Sequence, residues 1–225
     1  MSTPLRTHNF TVDEYHRMGQ AGVFREDDRV ELIDGQVVEM TPIGPRHAGC
    51  VNRLTGLLSR LGGDDVTLSI QNPVLLSERG EPQPDVTVLR HRADGYATRH
   101  PEPADILLVI EVADTSVEYD RSIKIPLYAR AGVPEAWLVN LPADRIEVYR
   151  NPAGGSYADV TSVSRGETIT PLEVPSATLS VDRILGLCPP PHLPPPWGEG
   201  RGEKTRPGGP RTLAIPRCVA SRARR

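Results

Sequence analysis

No apolar run in this sequence is long enough to cross a membrane. A membrane-spanning helix needs roughly 18 or more consecutive apolar residues, and no stretch approaches that length. The N-terminal segment MSTPLRTHNF also has neither the basic start nor the apolar core of a secretion signal. We therefore expect a soluble, cytoplasmic protein.

Cysteine is scarce as well, and the three cysteines, Cys50, Cys188 and Cys218, are widely spaced. An odd number at such spacing argues against a disulfide framework and against a zinc site built from cysteines. The three side chains are expected to be small buried or incidental residues in a reducing compartment.

Lysine is nearly absent. Of the 26 basic residues, only Lys124 and Lys204 are lysine, and the other 24 are arginine. This bias is typical of a GC-rich coding sequence, which favours arginine over lysine. A lysine that is retained within the folded part therefore indicates that its ammonium group has a use. Lys124 is therefore a candidate functional residue.

The 225 residues, of which 38% are hydrophobic, are enough for one globular domain with a substantial core. We place this domain at residues 1–188, where 18 basic and 27 acidic groups give a net charge of −9. In residues 189–225, 14 of 37 residues are Pro or Gly and the net charge is +6, so this tail is predicted to be disordered. A basic tail could bind nucleic acid through phosphates, but the composition favours an extension without a function.

The first half of the domain shows a helix, a hairpin and a second helix. Thr11 precedes acidic residues and a pattern that ends at glycine, which are helix start and stop signals. The pair Asp34-Gly35 lies between two short apolar runs and predicts a β-hairpin. Residues 46–61 place their apolar side chains on one helical face, which predicts a helix packed on a sheet.

Strands dominate the rest of the domain. Residues 66–76 indicate a strand broken at Asn72-Pro73, and DVTVLR and ILLVIEVA indicate two more. ILLVIEV is almost continuously apolar, which is typical of a strand buried on both faces at the centre of a sheet. A helix is predicted over 117–131, and the strands EAWLVN and RIEVYRN follow as a hairpin. With edge strands and a short closing helix, the order predicts a mixed α/β fold.

Two acids occupy positions where strands should not carry unpaired charge. Asp85 opens the strand DVTVLR and Glu111 lies inside an apolar run, although burial of a lone carboxylate is strongly unfavourable. If these strands are antiparallel neighbours, both acids reach the same edge of the sheet. Carboxylates brought together there repel unless a cation lies between them, and Mg²⁺ prefers such oxygen ligands. Lys124, on the following helix, could reach the same edge and act on a metal-activated water.

Several segments, taken in order, resemble a known family. VELIDG, QPD at 83–85, LLVIEVA and DRSIKIPLYARAGVPEAWLVN are similar to the Uma-two endonucleases, a bacterial family of the PD-(D/E)XK nuclease superfamily often described as restriction endonucleases. The resemblance extends over residues 9–187. Pro-Asp alone is a common dipeptide, but the ordered set is specific. The resemblance implies a restriction-endonuclease-like α/β core, with a mixed central β-sheet flanked by helices.

The resemblance also implies roles for individual residues. Asp85 matches the family's motif aspartate and Glu111 its second acid, so both are expected to bind Mg²⁺ or Mn²⁺. The superfamily pattern places lysine two residues after that acid, where this chain has Ala113. In the resembling family the lysine has moved to the next helix, and Lys124 matches that position. Glu31 in VELIDG matches a further acid that could reach the metal, although it could instead form an ion pair within the hairpin.

Three basic residues are candidate contacts to DNA or phosphate. His47 lies near the start of the second helix, where it could instead bond to the backbone. Arg121 and Arg130 share the predicted helix with Lys124. They could offset the acidic charge of the body, which is unfavourable for binding phosphates.

The sequence thus predicts a divalent-metal-dependent endonuclease that hydrolyses DNA phosphodiester bonds. Its catalytic residues would be Asp85, Glu111 and Lys124, assisted by Glu31, and the resemblance implies a homodimer. Two alternatives stay open. The fold could be a catalytically inactive module that binds DNA or dimerises, in which the acids are structural, or it could hydrolyse RNA or another phosphoester.

Overall fold

Two helices and a β-hairpin precede the central sheet in the chain. The computed structural model describes residues 7–25, 27–61 and 65–186. The elements before the sheet are helix α1 (Val12–Gln20), strands β1 (Val30–Ile33) and β2 (Gln36–Glu39), and helix α2 (Pro45–Leu61). The tail predicted at 189–225 lies outside the described residues, as do Cys188 and Cys218.

Local signals start α1 and turn the hairpin as predicted. The hydroxyl of Thr11 accepts a hydrogen bond from the backbone N–H of Glu14, whose carboxylate accepts one from the backbone N–H of Thr11. This reciprocal pair satisfies N–H groups that the first helical turn leaves without partners. Asp34 and Gly35 have φ angles of 48° and 80°, and a tight two-residue hairpin turn requires such positive values.

A six-stranded mixed sheet forms the centre of the fold, with its strands adjacent in chain order. The strands are β3 (Val66–Ile70), β4 (Val86–Arg90), β5 (Ile106–Ala113), β6 (Glu135–Asn140), β7 (Arg145–Ala153) and β8 (Ser156–Ser164). Strands β5 and β6 are parallel, and the other neighbours are antiparallel. The remaining α-helices are α3 (Val117–Tyr119), α4 (Ile125–Arg130) and α5 (Val181–Leu185), and the short strands β9 (Thr168–Ile169) and β10 (Leu179–Ser180) pair with each other. A 3-10 helix, Pro103–Asp105, precedes β5. Among the described residues, no helix is long and apolar enough to span a membrane.

The sheet is covered by apolar side chains on both faces. Every residue of β5 and β6 is buried, as the apolar runs predict. On one face Ile110 belongs to a core shared with Leu54 of α2, and on the other Val109 belongs to a core shared with Tyr128 of α4. Because successive side chains of a strand alternate between faces, Glu111 lies on the same side as Val109 and α4.

The helix predicted over 117–131 is not a regular α-helix. Asp120–Lys124 forms a π-helical turn between α3 and α4, in which the N–H of Ile125 bonds to the carbonyl of Asp120, five residues earlier. Pro126 gives a physical reason for the wider turn. Proline has no N–H to donate, and in a regular α-helix its ring clashes with the carbonyl four residues before it.

The strand predicted over 66–76 is shorter in the structure. Strand β3 ends at Ile70, and Gln71 has a positive φ of 53°, which interrupts the extended backbone before the predicted break at Asn72-Pro73. The side-chain amide of Gln71 donates a hydrogen bond to Asp85 at 3.2 Å. The early end of β3 therefore places a donor beside one of the two predicted acids.

Candidate active site

The antiparallel pairing of β4 and β5 brings Asp85 and Glu111 to one edge of the sheet. Val86 at the start of β4 pairs with Ile110 near the end of β5. Asp85, which precedes Val86, therefore lies beside Glu111, which follows Ile110. Asp85 Oδ2 accepts a hydrogen bond of 2.9 Å from the backbone N–H of Val112, which fixes the carboxylate against β5. The two acids meet at the edge that the sequence predicts.

Side chains from two further elements hold the Asp85 carboxylate. His47 Nε2, in the first turn of α2, lies 2.9 Å from Oδ2, and the Gln71 amide lies 3.2 Å from Oδ1. Burial raises the pKa of Asp85, but the hydrogen bonds from His47, Val112 and Gln71 outweigh burial and lower this pKa below its ordinary value. Asp85 is therefore ionised at neutral pH.

Lys124 lies buried between two carboxylates. Its Nζ is 2.9 Å from Glu111 Oε1 and 3.2 Å from Glu31 Oε2. Burial alone would lower the pKa of Lys124, but Glu111, Glu31 and Asp120 raise it well above its ordinary value, so the ammonium stays protonated. Glu111 Oε1 also accepts a hydrogen bond from the hydroxyl of Tyr128 in α4.

Glu31 reaches this cluster from strand β1. Its Oε2 accepts a hydrogen bond of 3.0 Å from the backbone N–H of Gln83, in addition to its contact with Lys124. The sequence left open whether Glu31 pairs within the hairpin or extends toward the other acids. The structure pairs it with Lys124, in the π-helical turn, and thereby brings it to the same cluster.

Sequence reasoning missed Asp120, which opens the π-helical turn. This aspartate is buried, and its Oδ2 accepts a hydrogen bond of 2.6 Å from Ser116 Oγ. Burial raises the pKa of Asp120, and the nearby ammonium of Lys124 only partly offsets that effect. The available signal was Pro126, because a proline inside a helical pattern changes which preceding residues share a face.

The predicted acids, Lys124 and His47 line a single cavity of about 440 Å³. The segment 38–44, which begins in the last two residues of β2, contributes another part of its wall. Six carboxylates line the cavity, namely those of Glu31, Glu39, Asp85, Glu111, Asp114 and Asp120. Among the ion pairs of the described residues, the cations that contact these carboxylates are Lys124, His47 and, at Asp114, Arg46. Carboxyl groups therefore outnumber the cations that contact them, and burial raises the pKa of Glu111 to about 8, so either a proton or a bound cation is needed to balance this site.

Arg121 and Arg130 do not line this cavity. Arg121 donates hydrogen bonds of 2.9 and 2.7 Å to Glu147, and one of 3.0 Å to Glu118. Arg130 forms an ion pair with Asp34 in the hairpin turn. Both guanidinium groups are engaged within the protein, and their contact with DNA stays a prediction.

The donor chemistry fits a divalent metal ion that is held jointly with substrate. Within residues 7–25, 27–61 and 65–186, no three His, Cys, Asp or Glu side chains are grouped so that they could hold a metal ion by themselves. Mg²⁺, however, is commonly bound by one or two carboxylates, with water and substrate phosphates as its other ligands. Asp85 and Glu111 supply two such carboxyl groups in a cavity where acidic side chains outnumber basic ones.

Comparison with known proteins supports the predicted family and fold. The model of the Uma2 family, whose description is "Putative restriction endonuclease", matches residues 12–182. The crystal structure of a "putative nuclease belonging to DUF820" from Anabaena variabilis is similar at 13% sequence identity with a TM-score of 0.62, over 78% of this chain and 97% of that one. No curated protein matches the sequence. The predicted family and the mixed α/β fold with a central sheet flanked by helices are confirmed.

Proposed function

The chain belongs to the Uma2 family, and from this premise we propose that it is a divalent-metal-dependent endonuclease that hydrolyses DNA phosphodiester bonds. The observation that carries the proposal is the position of Lys124 Nζ, 2.9 Å from Glu111 and 3.2 Å from Glu31, in the cavity that Asp85 also lines. A buried ammonium among more carboxylates than it can neutralise is unfavourable for stability and typical of a functional site.

Asp85 and Glu111 are the residues that would hold Mg²⁺ or Mn²⁺. A bound ion of this type polarises a phosphoryl oxygen and lowers the pKa of water. His47 and Gln71 hold the Asp85 carboxylate in one orientation, and the hydroxyl of Tyr128 does the same for Glu111. Such surrounding hydrogen bonds keep ligand oxygens in place and are typical of metal sites.

Lys124 acts as a hydrogen-bond donor and a positive charge. Because the carboxylates around it keep the ammonium protonated, it orients the attacking water rather than taking a proton from it. It also offsets the negative charge that develops on the phosphate in the transition state. Its two ion pairs fix Nζ before substrate binds, so this donor is preorganised.

DNA is the substrate class that the family description indicates. The acidic body opposes phosphate binding, so affinity has to come from a few basic groups, and we assign Arg29 and His47 at the cavity to this role. Such binding should weaken as salt rises.

We also propose a homodimer, since Val160 on the edge strand β8 is an apolar side chain that is 56% exposed.

Plasmid nicking by the purified full-length protein tests the proposal. Supercoiled plasmid should be nicked with Mg²⁺ or Mn²⁺ and left intact with EDTA. Lys124→Ala should slow nicking by roughly 100-fold or more, because it removes a preorganised donor. Lys204→Ala, the same change at the other lysine of the chain, is the matched control and should nick at the wild-type rate.

The opposite result would favour the non-catalytic alternative. If the wild-type protein leaves plasmid intact with either metal while gel shifts show salt-sensitive binding, the catalytic proposal fails. The fold would then act as a DNA-binding module in which the acids are structural.

A further inference from the structure

One tyrosine hydroxyl at the cavity has no hydrogen-bond partner within the described part of the chain. The hydroxyl oxygen of Tyr119 is buried, and no described residue bonds to it. Buried polar groups in folded proteins are almost always paired, and leaving one unpaired is unfavourable. Tyr119 lines the same cavity as Lys124 and the acids, so the unpaired group is at the candidate active site.

The other five tyrosines of the chain show that this is unusual for the fold. Each of them has a hydroxyl hydrogen-bonded to a backbone carbonyl or to a carboxylate. They are Tyr15 to Val30, Tyr96 to Arg90, Tyr128 to Glu111, Tyr149 to Glu147, and Tyr157 to Val133. The packing satisfies tyrosine hydroxyls elsewhere, and the exception lies at the cavity.

The π-helical turn explains why Tyr119 and Lys124 share the cavity. Residues five apart lie about 140° apart around a regular α-helix, and would face different surroundings. In the π-helical turn the hydrogen bond spans five residues, from the Ile125 N–H to the carbonyl of Asp120. Residues five apart therefore lie on nearly the same face of the helix. Tyr119 directly precedes this turn and Lys124 is its last residue, and both line the cavity.

The surroundings of Tyr119 keep its hydroxyl a donor. Burial raises the pKa of Tyr119 to about 12, and the nearby carboxylate of Glu31 adds to this effect. The phenol is therefore protonated at neutral pH. Carboxyl groups lie near it, yet none of those described accepts a hydrogen bond from this hydroxyl. An acceptor that enters the cavity from outside would find this donor free.

We infer that the Tyr119 hydroxyl donates a hydrogen bond to a non-bridging oxygen of the phosphodiester bound beside Lys124, an inference that rests on the proposed function. A phosphate diester offers charged acceptor oxygens, and a hydroxyl without a described partner in the free protein gains a charge-assisted hydrogen bond when a small adjustment of the cavity wall brings it to one of them. The unpaired hydroxyl of the free protein is then satisfied when substrate binds. Tyr119 is, on this account, a further catalytic residue, which exchanges some stability of the free protein for contact with the substrate.

The variant Tyr119→Phe separates this role from a structural one. It removes the hydroxyl and keeps the ring, so the fold should be preserved. Metal-dependent nicking should fall by roughly 10- to 100-fold, because a hydrogen bond to a charged group is lost. The thermal unfolding midpoint should stay the same or rise, because the change removes a buried hydroxyl that makes no hydrogen bond to a described residue in the free protein.

Tyr157→Phe is the matched control at a buried tyrosine outside the cavity. Its hydroxyl donates a hydrogen bond of 2.9 Å to the carbonyl of Val133, so the same change should lower the unfolding midpoint and leave the nicking rate unchanged. The two variants are thus expected to show opposite patterns.

The outcomes distinguish failure of this inference from failure of the proposed function. If the wild-type protein nicks plasmid and Tyr119→Phe nicks equally well, or unfolds earlier in the way expected for Tyr157→Phe, the inference is overturned and the nuclease stands. If the wild-type protein does not nick, gel shifts with the same DNA decide. Weaker binding by Tyr119→Phe supports the phosphate contact, and equal binding overturns it.

Discussion

Two buried charge clusters lie beside the same helical segment, 117–130, and they differ in their balance of charge. At Glu147, one carboxylate accepts hydrogen bonds from Arg121, Asn140, Arg145 and Tyr149. At Lys124, one ammonium lies between Glu31 and Glu111, with Asp120 and Asp85 lining the same cavity. The first cluster has more donors than the acid needs, and the second has more acids than the ammonium can neutralise.

The pKa shifts of the two glutamates follow this difference. Burial raises the pKa of Glu147, but hydrogen bonds from Arg121, Asn140 and Tyr149 outweigh burial and lower it to about 2. Burial raises the pKa of Glu111 above its ordinary value, and the charge of Lys124 does not fully offset that effect. An acid whose oxygens all accept hydrogen bonds, such as Glu147, stabilises the fold. A cluster with more acids than donors instead indicates a site that binds another cation.

The largest effect is expected from Asp85→Asn at the cluster with excess acids. This change removes one proposed ligand charge while keeping the size of the side chain, so metal-dependent plasmid nicking should fall by about 1000-fold. The matched control is Asp13→Asn, the same change at an exposed aspartate in the first turn of α1. Nicking by Asp85→Asn at the rate of Asp13→Asn would contradict the assignment.

A smaller effect, on stability, should distinguish the two clusters directly. Glu147→Gln leaves the paired arginines without their carboxylate and should lower the free energy of unfolding by about 2–3 kcal/mol. Burial raises the pKa of Glu111 to about 8, so Glu111→Gln changes little charge at neutral pH and should leave the free energy unchanged or raise it. Urea unfolding of both variants checks this, and equal destabilisation would remove the distinction between the clusters.

The pH dependence of stability should show the smallest effect. The pKa of Glu147 is lowered to about 2 from an ordinary value of 4.5. Its contribution to stability is therefore complete above pH 4.5 and is lost as the pH falls toward 2. The difference in free energy between wild-type protein and Glu147→Gln should shrink over this range by on the order of 1–2 kcal/mol, once solvent screening is allowed for. A difference that stays constant between these pH values would exclude Glu147 as its source.

Features that depend on local pattern could be predicted from the sequence. Asp34-Gly35 turns the hairpin because few residue pairs accept two positive φ angles. The run 106–113 lies buried at the sheet centre because all of its side chains except that of Glu111 are apolar, so burial on both faces of the strand is favourable. The meeting of Asp85 and Glu111 follows from antiparallel pairing of neighbouring strands.

Features that depend on distant partners could not be predicted in the same way. Arg121 and Arg130 looked like free cations on a helix face, but their acids Glu147 and Asp34 are 26 and 96 residues away in the chain. Tyr119 and Asp120 were missed because helical spacing of 3.6 residues does not hold in a π-helical turn. Only the folded chain shows which charges are saturated.

Thermal unfolding with and without Mn²⁺, at constant ionic strength, tests the central claim most directly. A metal that binds the native state of the cluster at Lys124 should raise the unfolding midpoint of the wild-type protein and of Glu147→Gln, and should leave that of Asp85→Asn unchanged. No rise in the wild-type protein, or an equal rise in Asp85→Asn, would contradict the claim that the excess acids form a metal site.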